Sequence, residues 1–227
     1  SWSMRGNYEI SAKDVVGVLN KLENLKSMEF LSWKNFNDFT EVEELTLKNL
    51  SSVDFMICSK DFVDKFVSKI LPKNSLETFI FGYMNQPEEY KEIFVTQQSI
   101  KTLIFKSMCL IAEDALRDLK LDKIVFGSQN YDALPPQFLK TIFDSQPNLR
   151  HLKLPRNSYN KQQVVDDEIF EKLSQVSGLE ILSVSVDGLS QIGALQNLPN
   201  LKNLEIRSEK HEKLDVFCHF AELRLDS

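Results

Sequence analysis

The sequence predicts an α/β solenoid, a curved array with a parallel sheet on its concave side and helices on its convex side. Two observations carry this. An apolar pattern of the form L-x-x-L-x-L recurs in series along the chain, and most intervals between copies contain a stretch with apolar residues at helical spacing. The clearest copy is Leu149–Asn157, written Leu-Arg-His-Leu-Lys-Leu-Pro-Arg-Asn, which fits L-x-x-L-x-L-x-x-N at every fixed place. Leu152 and Leu154 alternate with Lys153 as a half-buried strand requires. Asn157 is placed to satisfy backbone groups where the chain turns out of that strand.

Sliding this pattern along the chain gives nine copies, opening at Leu25, Val42, Leu76, Ile100, Leu121, Leu149, Leu179, Leu201 and Phe220. The step from Leu25 to Val42 is 17 residues and that from Val42 to Leu76 is 34, the shortest and the longest of the series. The mean step, roughly 24, falls within the range of leucine-rich repeats. Each copy is then one strand plus a return segment, unable to bury its apolar face until a neighbour stacks on it.

Taken in order, Ser1-Trp2-Ser3-Met4 has no periodicity, and residues 1–10 read as a disordered start or a cloning remnant. A single repeat domain is expected from Ser11 to Ser227. Ser11 with Asp14 three residues on resembles a helix-capping pair, followed by Val15, Val16, Leu19 and Leu22 on one helical face. The first two strands are expected at Met28–Leu31 and Leu45–Leu47. Phe62, Val63, Phe66, Val67 and Ile70 define a helix over Ser59–Leu71 that Pro72 ends. Further return helices are expected at Glu88–Val95, Ala112–Leu119, Pro136–Phe143 and Val165–Val176, with a turn or two within Leu189–Leu198. Phe30, Phe81, Phe105 and Phe126 all take the sixth place of their copies and are expected to stack as an interior ladder. The last copy, ending at Leu225, has no helix after it, so either further repeats or a partner is expected to cover that end.

Composition narrows the classes of function. The formal charge is −6 and the pI near 5.2, which argues against a general nucleic-acid binder, for which a basic domain is expected. No apolar run approaches the roughly 20 residues of a membrane span. Cys58, Cys109 and Cys218 are odd in number and far apart, which fits free thiols in a reducing compartment, cytoplasmic or nuclear, better than a disulfide framework. The sequon at Asn49 is read as a turn residue at the end of the second strand. No phosphate-binding glycine loop, nucleophile elbow or H-E-x-x-H helix occurs in the chain. His211, Cys218 and His219 lack the paired short spacings of zinc ligands, and Asp166, Asp167 and Glu168 read as the solvated first turn of a helix. Neither a catalytic residue, a metal nor a cofactor is expected.

Function is instead expected on the strand face opposite the core, at the third, fifth and seventh places of each copy. The fifth places read Glu29, Thr46, Ile80, Ile104, Val125, Lys153, Ser183, Glu205 and Arg224, with an apolar middle. Two readings of that middle stand side by side: β-branched residues that suit neighbouring strands, or the dry centre of a protein interface. On the second reading Ile80, Ile104 and Val125 are the centre, with Gly82 and Gly127 leaving backbone open to approach and Tyr83 and Lys106 beside them. A basic group, Arg150, His151, Lys153 and Arg156, is a candidate rim for an acidic partner segment.

With irregular repeats, return helices and unpaired cysteines, the chain resembles intracellular leucine-rich repeat domains, in particular those of F-box leucine-rich repeat and ribonuclease-inhibitor-like proteins. The resemblance covers nearly all of Ser11 to Leu225. It implies a non-enzymatic scaffold binding a protein on its concave face, with substrate recognition for a ubiquitin ligase as the most specific form. The F-box motif itself is not in this sequence, and cysteines do not recur at a fixed repeat position. The alternative is an adaptor domain in a nuclear RNA–protein complex.

Overall fold

In the computed structural model the chain comprises two compact units, Ser1–Leu119 and Lys120–Ser227, each an α/β arrangement around parallel strands. The structure describes residues 1–5, 11–33, 42, 45–82, 89–106, 110–111, 115–127, 136–154, 167–185, 195, 197–207 and 222–226. The first unit runs β1 (Trp2–Arg5), α1 (Ala12–Leu19), β2 (Ser27–Leu31), β3 (Ser52–Met56), α2 (Lys60–Lys69), β4 (Thr78–Phe81), β5 (Glu89–Tyr90), α3 (Glu92–Thr96), β6 (Thr102–Phe105) and β7 (Leu110–Ile111). Its sheet is parallel in the order β1-β2-β3-β4-β6, with β5 and β7 forming a separate parallel pair. The second unit runs β8 (Lys123–Phe126), α4 (Pro136–Ser145), β9 (His151–Lys153), α5 (Asp167–Ser174), β10 (Ile181–Ser185), β11 (Asn203–Arg207) and β12 (Glu222–Asp226). Its strands pair in parallel in chain order.

The fourth and sixth places of the copies form the core, because alternate strand residues point to one side and apolar area there is removed from water. Phe79, Phe81, Leu103, Ile124, Leu152, Leu182 and Val184 are fully buried, while the residues between them are mostly half-buried. A turn hydrogen bond recurs before the strands. The amide of the first apolar residue donates to the carbonyl three residues back at Leu25, Leu50, Ile100, Leu149, Leu179 and Leu201. A second recurrent feature sets the register. In the first unit the Lys26 carbonyl accepts from Ser51 and Ser52, that of Ser51 from Glu77 and Thr78, and that of Glu77 from Lys101 and Thr102. In the second, Asp122, Arg150 and Glu180 accept in the same way from the second and third residues of the next copy. Successive copies are thus held at one offset by backbone groups that would otherwise be orphaned.

The helices arise from the apolar stripes named above. Ser11 accepts from the Asp14 amide at 3.1 Å and its hydroxyl donates to the Asp14 carboxylate at 2.8 Å, the expected cap of α1. Ser59 caps α2 by accepting from the Phe62 amide at 3.2 Å. Phe62 and Phe66 of α2 pack edge-on against Phe30, at 5.4 and 4.7 Å between ring centroids. In the second unit, Lys140–Glu168 at 2.6 Å and Lys172–Asp144 at 2.8 Å join α4 to α5 at the surface.

Several expectations are corrected. Trp2–Arg5, read as lying outside the fold, forms β1 in register with Met28–Leu31 of β2. The second strand is Ser52–Met56, opened by Leu50, and Leu45–Leu47 precedes it; Leu47 supplies the turn carbonyl for the Leu50 amide. With that change the interior ladder gains Phe55, stacked on Phe30 at 5.4 Å. Phe81 and Phe105 stack at 5.1 Å as expected. Asn49 lies in the turn before β3, not at a strand end, and its Nδ2 donates to the Glu23 carbonyl at 3.2 Å. Within the range Glu88–Val95 the helix starts at Glu92, and Glu89–Tyr90 pairs with β7 instead. Residues 115–118 form turns rather than a helix. Asn157, Asp166, Cys109, Cys218, His211 and His219 lie outside the described residues.

Two buried glutamines, Gln97 and Gln146, fill the place before the strand that leucine or valine fills elsewhere. Gln97 Oε1 accepts from the Ser75 and Leu76 amides at 3.0 and 3.2 Å, and its Nε2 donates to the Pro72 carbonyl at 2.9 Å. Gln146 Oε1 accepts from the Leu121 amide at 2.9 Å. Each side chain thus ties one copy to the preceding one, satisfying backbone groups that burial would leave costly.

Candidate partner-binding site

In the second unit, the third and fifth places of β8, β9, β10 and β11 lie side by side. Lys123, His151, Ile181 and Asn203 form one row, and Val125, Lys153, Ser183 and Glu205 the next. Together they line a groove of about 410 Å³. Its floor is formed partly by Ser183, which is buried, while Ile181 stands 37% exposed, one of the few exposed large hydrophobic side chains among the described residues. Lys123 and Lys153 are diagonal neighbours across β8 and β9, and neither forms an ion pair among the described residues. Glu205 closes the opposite side.

Half-buried His151 sits between these lysines, and burial, then the charges of Lys123 and Lys153, hold its pKa below 6.5. The sign for stability follows. The unfolded chain takes up this proton more readily, so the contribution of neutral His151 is complete above the unfolded value and is lost as pH falls through the lower folded one. Besides the two lysines, Glu205 is the charged group in the same groove. His151→Gln is therefore expected to flatten the fall in melting temperature between about pH 7 and about pH 5. An unchanged pH profile in that variant would contradict this placement of His151.

Arg150, grouped with His151 and Lys153 from sequence, is separated from them by the alternation of the strand. It pairs with Glu180 at 2.6 Å, and Lys202 reaches the same carboxylate at 2.9 Å. This exposed cluster holds the Glu180 carboxyl below its ordinary value through hydrogen bonds from Lys202 and Arg150. Arg156 lies outside the described residues.

The first unit has a different outward face. Ile80 and Ile104 are adjacent in register on β4 and β6, as expected, but both are half-buried. The place beside Ile80 belongs to Asp54 rather than Thr46, because β3 is opened by Leu50. Lys106 forms an ion pair with the Asp54 carboxylate and approaches Met56 Sδ at 3.9 Å. Lys106 is thus engaged within the fold. Desolvation raises the Asp54 pKa, opposed by the Lys106 hydrogen bond and charge and reinforced by Glu29. The other Asp54 oxygen is buried without a hydrogen-bond partner. Burial also pushes the Cys58 thiol up to about 12, so it is not a reactive thiolate.

Gly82 does not leave backbone open to approach. It is buried against β3, its amide donates to the Phe55 carbonyl at 2.7 Å, and an added Cβ would lie 2.2 Å from that oxygen and 2.5 Å from Met56 Cα. The glycine is required by a close passage of two backbones. Gly82→Ala is expected to cost about 1 to 3 kcal/mol, measured by denaturant unfolding; a variant as stable as the parent would show that this end of β4 is not held against β3. Val125 and Gly127 are half-buried. Tyr83 lies outside the described residues. Of the residues singled out from sequence, Val125, His151 and Lys153 line the groove together. Lys123, Ile181, Ser183, Asn203 and Glu205 were not singled out; the row of third places, read strand by strand, carries the signal for Lys123 and Ile181.

No protein-family model matches the chain, and no curated protein matches it in sequence. Among the described residues, no helix is long and apolar enough to cross a membrane, and no group of three or more His, Cys, Asp or Glu is placed to hold a metal ion.

Proposed function

We propose that the chain is a non-enzymatic, intracellular leucine-rich repeat scaffold that holds a protein partner on the outward face of its strands. The observation that carries this reading is the groove over β8–β11, where exposed Ile181 adjoins two lysines that have no ion-pair partner among the described residues. An apolar side chain set in a groove among charged groups is the kind of contact that the centre of a protein interface buries. The recurrent strand-entry hydrogen bonds support the repeat reading, since within each unit one backbone geometry recurs between successive copies among the described residues. Substrate recognition for a ubiquitin ligase is the most specific form of the proposal, and an adaptor in a nuclear RNA–protein complex is its competitor.

Affinity capture from cell extract separates these two forms, since ligase subunits support the first and RNA–protein particles the second. The captured protein is then titrated by calorimetry. Ile181→Asp is expected to weaken it at least about thirtyfold, the loss of one central contact worth about 2 kcal/mol. The exposure of Ile181 lets the fold survive that change. Parent-like binding by folded Ile181→Asp would exclude the groove as the site, and a loss confined to Ile104→Asp would move the site to the first unit.

A further inference from the structure

We infer that the groove over β8–β11 takes an extended acidic segment of a protein partner, with two carboxylates two residues apart on Lys123 and Lys153 and an aliphatic side chain against Ile181. This rests on the scaffold reading above and names the chemistry of the partner. The two lysines are offset by one strand and two residues, because Val125, two residues after Lys123, is the register partner of Lys153. Strand spacing and rise put their Cα atoms about 8 Å apart. Alternate residues of an extended peptide lie on one side about 7 Å apart. An acid-x-acid pair therefore spans the two ammonium groups without bending, and lysine stems absorb the remaining offset.

The charge around the groove favours this occupant. Lys140, Lys172 and Lys202 of the same unit are committed to carboxylates, whereas Lys123 and Lys153 have none among the described residues. His151 lies between them as a further donor facing the same space. One strand on, in the row of Lys123 and His151, Ile181 offers apolar area. A nucleic-acid strand, with a phosphate at every residue, is disfavoured by a chain of net charge −6. Two lysines and a histidine also offer few contacts for phosphate-driven affinity.

The test pans a displayed library of random decapeptides on the full chain and measures the selected peptides by fluorescence anisotropy. The expected result is enrichment of Asp or Glu at alternate positions with an aliphatic residue beside them. Lys153→Glu and Lys123→Glu should each weaken such a peptide at least about tenfold, and added salt should weaken it further. Exposed Lys101→Glu, on the first unit, should leave binding unchanged. Selected peptides without acidic pairs, acidic peptides indifferent to both lysine reversals, or no selected peptide at all would overturn the inference. So would an oligouridylate that binds the same lysines more tightly than any peptide. Peptides without acidic pairs that lose affinity with Ile181→Asp would overturn it while leaving the scaffold reading in place. If no peptide is selected and a captured partner also ignores Ile181→Asp, the scaffold reading at this groove fails with it.

Discussion

Phe55→Ala is expected to lower the stability of the first unit by about 3 to 5 kcal/mol, the cost of truncating a large ring at the centre of an aromatic cluster. The ring is fully buried and stacks on Phe30 at 5.4 Å with 11° between planes. It also meets Phe79 at 5.5 Å and Phe62 and Phe66 of α2 at 5.9 Å each. Truncation removes the transfer free energy of the ring and leaves a cavity between two layers of aromatic side chains that cannot collapse freely. Phe55→Leu, which keeps most of the volume, should cost well under half as much. Denaturant unfolding of both variants measures the difference. A Phe55→Ala protein within about 1 kcal/mol of the parent would mean that the ring is not interior.

The second large effect is asymmetric. Lys106→Met is expected to cost about 2 to 3 kcal/mol, the low side of breaking a buried ion pair because the lysine side chain is 35% exposed. Asp54→Asn should cost less than about 1 kcal/mol. The reason is burial: Asp54 has its pKa raised, so desolvation of the carboxylate outweighs what Lys106 returns. Its folded pKa lies above the ordinary 3.8, so the stability linked to its protonation is complete at low pH and lost as pH rises through the folded value. Removing the charge removes that loss, whereas removing Lys106 leaves a carboxylate whose Oδ1 already has no partner. The double variant should recover most of the cost of Lys106→Met. Equal costs for the two single variants would contradict this account of the pair.

Much of this arrangement is legible in the sequence because strand alternation and helical spacing are local signals. Leu149, Leu152 and Leu154 occupy the interior places that the pattern assigns them, and Ser11 and Ser59 cap the helices that follow them. The second copy is not legible in the same way. Val42/Leu45/Leu47 and Leu50/Val53/Phe55 fit one template, and Leu45 and Leu47 are themselves buried. Only the hydrogen bonds of Ser51 and Ser52 to the Lys26 carbonyl, a contact between distant residues, choose the second frame. That frame also evens the series, from Leu25 to Leu50 in 25 residues and from Leu50 to Leu76 in 26.

The candidate site was only half legible for a related reason. Lysine and isoleucine on a strand carry no mark of whether they are engaged. Lys106 is spent on Asp54 of a strand two places away, and Ile104 is half-buried, while Ile181 stands exposed. Those differences depend on the neighbouring copies. The wrong frame for the second copy also hid Asp54, and with it the partner of Lys106.

The in-register parallel stacking of successive copies is most directly tested by nuclear Overhauser contacts between backbone protons of β9, β10 and β11. The account predicts contacts linking Leu152 with Leu182 and Leu182 with Leu204, with Ser183 opposite both Lys153 and Glu205. Contacts joining the start of one strand to the end of the next, such as Ile181 to Arg207, would mean antiparallel pairing and would contradict the repeat architecture and the groove built on it.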